Sequence, residues 1–387
     1  MYLFYCALGP LNAILVDDFV KLGGNFRYFF NDGLMVYLIG LSCFILAYYF
    51  FYYTRFTQVL VVKAPKKIRR YELTSMAPVL AVLFTFIVIF VVFQNKDYSG
   101  ESSVDSSYNY ILFFADSLIV SIVIFIFEGR YKMLTLILLP IALISFLILG
   151  FRYRIILLLI AGLYYFIVKN KLTMSLLLKL IMVTVVTAYS INFITTNRRI
   201  FTSWEFEDTD FSLEVADDMT AYELVLFQTE NYSTDFNVLK YLKQRPLEHD
   251  YGFSMFAHIF IRATPASFYI TNKKPIIPQQ YIIKRSFGSF AGRYSGAAVT
   301  NIFSYYIPYG MLTVIIFMTL LGGWLGWFSQ RVDLDIVRNQ VLVVLVAMLL
   351  FQEISRGYFP QTFTLLVYLF LTFKLSYKSI RIDSIPN

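Results

Sequence analysis

Apolar runs of membrane-spanning length, separated by short polar segments, recur along the whole chain. Those at 76–93 and 176–194 are almost uniformly apolar, whereas the strands of a spanning barrel alternate polar and apolar residues, so the pattern predicts helices. Spans are predicted at 2–16, 33–53, 76–93, 109–127, 133–149, 155–169, 176–194, 302–328, 340–354 and 361–375, about ten in all. The first is short, since about 20 apolar residues are expected for a full crossing. The predicted fold class is an all-α polytopic membrane protein with one large extracytoplasmic loop. It divides into N-terminal spans over 1–194, the loop over 195–301, and C-terminal spans with a tail over 302–387.

Charge orients the spans. Loop 54–75 carries Arg55, Lys63, Lys66, Lys67, Arg69 and Arg70 against Glu72, which marks it as cytoplasmic. Alternation then places Arg130 and Lys132, Lys169 and Lys171, Arg331 and Arg338, and Lys374, Lys378 and Arg381 on the same side. Loop 94–108 falls outside and is mildly acidic. Composition agrees with this picture: of 387 residues, 58% are hydrophobic and only 15% charged. The net charge of +8 is accounted for by cytoplasmic loops and a headgroup site, so it calls for no nucleic acid. Cys6 and Cys43 sit in or near apolar segments, which argues against a disulfide framework. Residues 1–16 lack a basic leader, so they are read as a retained span rather than a cleaved signal.

The 195–301 loop splits by charge. From Glu205 to Asp235 it is acidic without a single base, the usual signature of a solvated face. From Lys240 to Arg293 it is basic, with Lys240, Lys243, Arg245, Arg262, Lys273, Lys274, Lys284, Arg285 and Arg293. Within it, 252–263 is a helix-length apolar stretch too short to span, predicted to lie along the membrane interface.

The catalytic repertoire is narrow. His249 and His258 are the only histidines and no cysteine lies near them, which disfavours zinc. No P-loop, dinucleotide fingerprint or nucleophile elbow occurs. Asp208-Thr-Asp210 and Asp333-Leu-Asp335 could hold a divalent cation on a diphosphate, but short acidic patterns are common by chance, and no metal is assigned. Asp17-Asp18 in the first outer loop is a further acidic candidate.

Arginine is the stronger signal. Arg152, Arg154, Arg198, Arg199, Arg262, Arg285, Arg293 and Arg356 all fall outside, against the usual bias of basic residues toward the cytoplasm. A guanidinium offers a planar fork to phosphate oxygens and stays charged, and cations aimed at a leaving diphosphate lower the barrier to its departure. Arg152, Arg154, Arg262, Lys274, Arg285, Arg293 and Arg356 are therefore the candidate diphosphate and glycan ligands. For any one of them the ordinary alternative is snorkelling or an ion pair, and Glu353 is placed to pair with Arg356 at i,i+3. Glu248, His249 and Asp250 are candidate bases, as is Asp116 within its span, where acids are costly and usually functional or paired.

These stretches resemble the bacterial oligosaccharide repeat-unit polymerases, the Wzy-type O-antigen polymerases. The likeness lies in the arginine hairpin FRYRIILLLIAGLYY, the loop segment RATPASFYITNKKP, the approach GRYSGAAVTNIFSYYIPYGMLTVIIFMTLLGGWLG and the final Arg356-Gly357. The four stretches together make up about a sixth of the chain. An acidic residue is often found on the approach, where this chain has Phe303, Ser304 and Tyr305. The resemblance implies a fold like the GT-C-type glycosyltransferases. It also implies transfer of a growing glycan from undecaprenyl diphosphate to a lipid-linked repeat unit on the outer face of the cytoplasmic membrane. Neither metal nor nucleotide would be needed. Membrane lipid and the pathway's flippase and chain-length regulator would be partners. A flippase, or another polyprenyl-linked glycosyltransferase or ligase, is the competing expectation.

Overall fold

The computed structural model describes residues 2–15, 20–21, 24–25, 27–54, 69–94, 109–148, 152–169, 231–264, 268–271, 277–288 and 298–381, with isolated positions around 173–182 and at 275. It is mostly helical. A π-type turn over Phe4–Leu8 leads into α1 (Gly9–Leu15), followed by the two-residue strands β1 (Val20–Lys21) and β2 (Gly24–Asn25). Next come α2 (Phe30–Tyr53), β3 (Arg69–Leu73), α3 (Met76–Gln94), α4 (Asn109–Glu128), α5 (Lys132–Ile148) and α6 (Arg152–Lys169). The loop region supplies α7 (Asn231–Gln244), α8 (Ala257–Ala263) and α9 (Pro278–Ser286). The chain closes with α10 (Asn301–Tyr309), α11 (Met311–Arg331), α12 (Val337–Arg356), α13 (Phe359–Ser376) and β4 (Tyr377–Arg381).

Among the described residues, four helices are long and apolar enough to cross a membrane: Arg27–Tyr53, Met76–Phe93, Met311–Arg331 and Val337–Arg356. Tyr5–Leu15 and Lys132–Leu147 are shorter apolar helices. Helices also occupy the predicted spans at 109–127, 155–169 and 361–375, as α4, α6 and α13. The predicted span at 176–194 and most of the acidic half-loop lie outside the described residues.

The chain forms two compact units. The first comprises Met1–Pro65, Val225–Val332 and Leu350–Phe363. Its backbone is the pair α2 and α11, brought close by glycine: a Cβ on Gly322 would lie 2.2 Å from the Phe44 carbonyl oxygen, and one on Gly326 2.3 Å from that of Tyr48. Close approach of this kind is how helices associate where no hydrophobic drive is available. Helix α7 is anchored on the same pair. Phe236 packs on Gly33 and meets Phe30 edge-to-face at 5.4 Å. Its neighbour Asp235 is fully buried, accepting from the Tyr37 hydroxyl at 2.5 Å and from the Thr300 amide and hydroxyl at 2.9 and 2.7 Å.

The second unit comprises Lys66–Leu224, Asp333–Leu349 and Thr364–Asn387. Its core is the α4 face carrying Leu118, Ile119, Ile122 and Phe125, with Ala142, Phe146 and Leu157 also buried. Strands β3 and β4 pair antiparallel, Arg69 opposite Arg381. The pairing requires loop 54–75 and the C-terminal tail to share one face of any membrane.

Two predicted elements differ in form. The span at 302–328 is split into α10 and α11 at Gly310, which adopts φ +67° and whose amide donates the closing bond to the Tyr306 carbonyl. Pro308 has no amide hydrogen to give the carbonyl four residues before it, and glycine tolerates the positive φ at 310, so the break is local in origin. The apolar stretch at 252–263 is helical only over Ala257–Ala263. Asp250 caps the amides of Gly252 and Ser254, and Gly252 sits at φ +84°, so turns replace the first half of the helix.

Candidate functional site

The three consecutive candidate bases separate sharply. The Glu248 carboxylate accepts from the Tyr241 hydroxyl and lies 3.6 Å from Arg245. Asp250 spends both oxygens on the turn just described. His249 keeps one nitrogen for chemistry. Its Nδ1 lies 2.7 Å from the Ile307 carbonyl oxygen, and because a carbonyl only accepts, Nδ1 carries the proton and Nε2 holds the basic lone pair. The ring is half-buried beside Tyr306, with Gly310 against its edge. The helix break thus sets the height at which this histidine sits.

Beside it is a basic and aromatic cluster. Arg245 stacks over the Tyr241 ring at 5.1 Å, and Arg285 over Tyr281 at 4.6 Å. Arg285 also lies beside the Tyr241 hydroxyl, which raises its pKa above the ordinary guanidinium value. Both guanidiniums are exposed, as are Lys243 and Lys284. Helices α7 and α9, which pack together, present them on one surface. Lys243 reaches Asp32 at 2.5 Å, tying this surface to the start of α2. There a groove of about 480 Å³ runs along α2, lined by Cys6, Asn31, Leu34, Met35, Tyr37, Leu38 and Leu41. Its lining is mostly apolar.

The remaining candidates are dispersed. Arg356 is exposed at the end of α12 and does not pair with Glu353; that carboxylate faces the interior and accepts from Tyr305 at 2.7 Å. The expected i,i+3 pair fails because the two side chains occupy opposite environments. Arg154 and Asp116, in the second unit, pair with each other: Nε to Oδ1 at 2.8 Å and Nη2 to Oδ2 at 3.3 Å, both side chains buried. Tyr153 adds a hydroxyl 3.4 Å from Asp116 and a ring under Arg154. A guanidinium engaged in this way is a structural ion pair rather than an open phosphate fork. For Arg152 and Arg262 only the helical backbone is described, and Lys274 and Arg293 lie outside the described residues, as do Asp17, Asp18, Asp208 and Asp210. Asp333 and Asp335 are exposed in a turn, the Asp335 amide donating to Asp333. His258 meets the Tyr358 hydroxyl at 3.2 Å and is buried.

Sequence reading did not single out Tyr241 or Tyr281 and counted Arg245 only among the basic residues of the loop. The signal that could have found them is spacing: Tyr241 and Arg245, like Tyr281 and Arg285, stand four residues apart, the interval that stacks a cation on a ring along a helix. Comparisons of the chain with protein-family models, with curated proteins and with solved structures return no match.

Proposed function

We propose that the protein polymerises undecaprenyl-diphosphate-linked oligosaccharide repeat units on the outer face of the cytoplasmic membrane, without metal or nucleotide. The observation that carries the reading is His249 with its Nε2 left basic, four residues along the chain from Arg245 and in the same unit as Arg285. In this reading His249 takes the proton from the acceptor sugar hydroxyl as its oxygen bonds to the donor's anomeric carbon. The bond to the diphosphate breaks, and undecaprenyl diphosphate leaves with the electron pair. Arg245 and Arg285 neutralise the charge developing on it. The α2 groove suits an isoprenoid chain, and the Lys243–Asp32 contact brings its polar end to the cationic surface. Arg356, Arg262, Lys274 and Arg293 remain candidate ligands of the glycan and of the second diphosphate. A flippase and a chain-length regulator of the same pathway are the expected partners.

The test is purified protein given synthetic undecaprenyl-diphosphate repeat unit without nucleotide or metal. A ladder of lengthened product is expected, slowed roughly 10²–10⁴-fold by His249→Ala, the usual contribution of a general base. Lipid binding without lengthening would sink the polymerase reading in favour of the second one, a lipid-linked oligosaccharide transporter. That reading draws on a carboxylate buried inside a helix, Glu353, which suits ion-coupled movement.

A further inference from the structure

The segment after His249 carries large apolar side chains that the protein does not cover. Tyr251, Phe253, Phe256, Phe260, Phe268 and Ile270 are all exposed, Phe260 to 73% and Ile270 essentially completely. Ser254, Met255 and His258, interleaved with them, are buried, so the segment has an inner and an outer face. The inner face is fastened to the first unit: the Gln279 amide, at the start of α9, donates to Ser254 Oγ at 2.8 Å. Over 251–270 the sequence carries a single formal charge, Arg262. Apolar surface in this quantity marks a place of contact rather than a solvated loop.

Two observations identify what it contacts. The first is depth. Helix α11 has 21 residues, so at about 1.5 Å per residue it is about 30 Å long, the thickness of a bilayer core. Phe317 stands six residues into it, about 9 Å from the Gly310 end. The Phe256 ring packs on Phe317 with centroids 6.3 Å apart, and Tyr251 meets Tyr309, just before the break, at 5.4 Å. The segment therefore descends from the break to the depth of the hydrocarbon.

The second is the backbone. Irregular chain is tolerated at membrane depth only where its polar groups are met by protein. Here every amide from Gly252 to Phe256 has a protein acceptor. Gly252 and Ser254 donate to the Asp250 carboxylate, Phe253 to the Asp250 carbonyl, and Met255 and Phe256 to the Gly252 carbonyl. At the far end of α8, the Thr264 amide and hydroxyl close on the Phe260 carbonyl, and the Tyr269 hydroxyl on that of Ile261. Asp250 and these caps do for the turns what water does in an ordinary loop.

We infer that Tyr251, Phe253, Phe256, Phe260, Phe268 and Ile270 form a wedge seated among the lipid acyl chains of the leaflet beside the α10–α11 break. This is deeper than the interfacial helix expected over 252–263, and half of it is turn. The exposed Lys243 and Lys284, on α7 and α9 of the same unit, stay in water. The inference does not rest on the polymerase reading.

The test uses the full-length protein in nanodiscs of phosphatidylethanolamine and phosphatidylglycerol. After Cys6→Ala and Cys43→Ala, single spin labels are attached through Phe260→Cys, Phe268→Cys, Ile270→Cys, Lys243→Cys or Lys284→Cys. Power saturation then compares collisions with oxygen, which concentrates in hydrocarbon, and with a water-soluble nickel chelate. Labels at 260, 268 and 270 are expected to lose access to the chelate and gain it to oxygen, with the reverse at 243 and 284. Chelate access at 260, 268 and 270 equal to that at 284 would overturn the inference. A second measurement keeps the native cysteines, in case their removal prevents folding. Benzoylphenylalanine replaces Phe260 or, as reference, Phe86, which is exposed on the membrane-crossing α3. Irradiation should give lipid adducts at both positions; an adduct at 86 with none at 260 would equally sink the wedge. Chain lengthening enters neither readout.

Discussion

Arginine serves opposite purposes in the two units. In the second, Arg154 is buried against Asp116 at 2.8 Å, with charge met by charge and the Tyr153 hydroxyl 3.4 Å from the carboxylate. In the first, Arg245 and Arg285 lie exposed on the faces of Tyr241 and Tyr281, Arg245 also 3.6 Å from Glu248 and Arg285 beside the Tyr241 hydroxyl, both within reach of solvent. The difference is one of partner and solvent rather than of residue type. A buried arginine needs a carboxylate to offset its desolvation and is then spent on structure. An arginine stacked on a phenol keeps its fork for phosphate while its side chain is already ordered. Sequence reading placed Arg154 and Arg285 in a single class; the environment divides them.

The contrast can be broken most forcefully at Arg154. Arg154→Met leaves the Asp116 carboxylate buried without its cation and should destabilise the protein by about 3–5 kcal/mol, whereas Arg154→Met with Asp116→Leu should recover most of that loss. Thermal unfolding in detergent of the single and double variants measures it. If the single variant were as stable as the parent, the pair would not be structural.

A smaller loss is expected where the first unit depends on close packing. Gly322→Ala would push a methyl to 2.2 Å from the Phe44 carbonyl oxygen and should cost about 1–3 kcal/mol by the same assay.

A third effect depends on pH. Burial pushes Asp235 up to about 7, opposed only in part by its three hydrogen-bond donors. The folded state therefore keeps a proton up to about pH 7 that the unfolded chain releases near pH 4, so this carboxyl makes stability fall as pH rises between those values. The slope is at most about 1.4 kcal/mol per pH unit, and Asp235→Asn should flatten a plot of unfolding free energy against pH in that window.

The smallest stability effect sharpens the comparison from the other side. Arg245→Ala and Arg285→Ala should each change stability by no more than about 0.5 kcal/mol, as surface substitutions do, while slowing chain lengthening more than tenfold. A large loss of stability with full activity would make these arginines structural after all.

Much of the helical layout was legible in the chain. Runs such as 33–53, 76–93 and 340–354 can satisfy their backbone in an apolar medium only as helices, and helices stand there. The break at Gly310 was present in the sequence as Pro308 and Gly310 but hidden by the apolar residues on either side, because hydropathy measures transfer rather than backbone geometry. The candidate site was legible in its chemistry and not in its roles. Glu248, His249 and Asp250 look equivalent as a string; what separates them is a tyrosine at 241, a turn at 252 and a carbonyl at 307. Asp235, the last acid of a run read as solvated, is buried because Phe236 beside it carries α7 into the core.

By itself the sequence determined that this chain is helical and rich in apolar runs of spanning length. These properties follow from the composition of contiguous segments, which local physics can read. Which arginine is buried against a carboxylate, which histidine nitrogen holds the proton, and which tyrosine meets the buried Glu353 were decided only by the tertiary structure. Each depends on a partner 38 to 58 positions away in the chain: Asp116 for Arg154, Ile307 for His249, and Tyr305 for Glu353. Only folding brings such distant residues within the few ångströms at which charge and hydrogen bonding act.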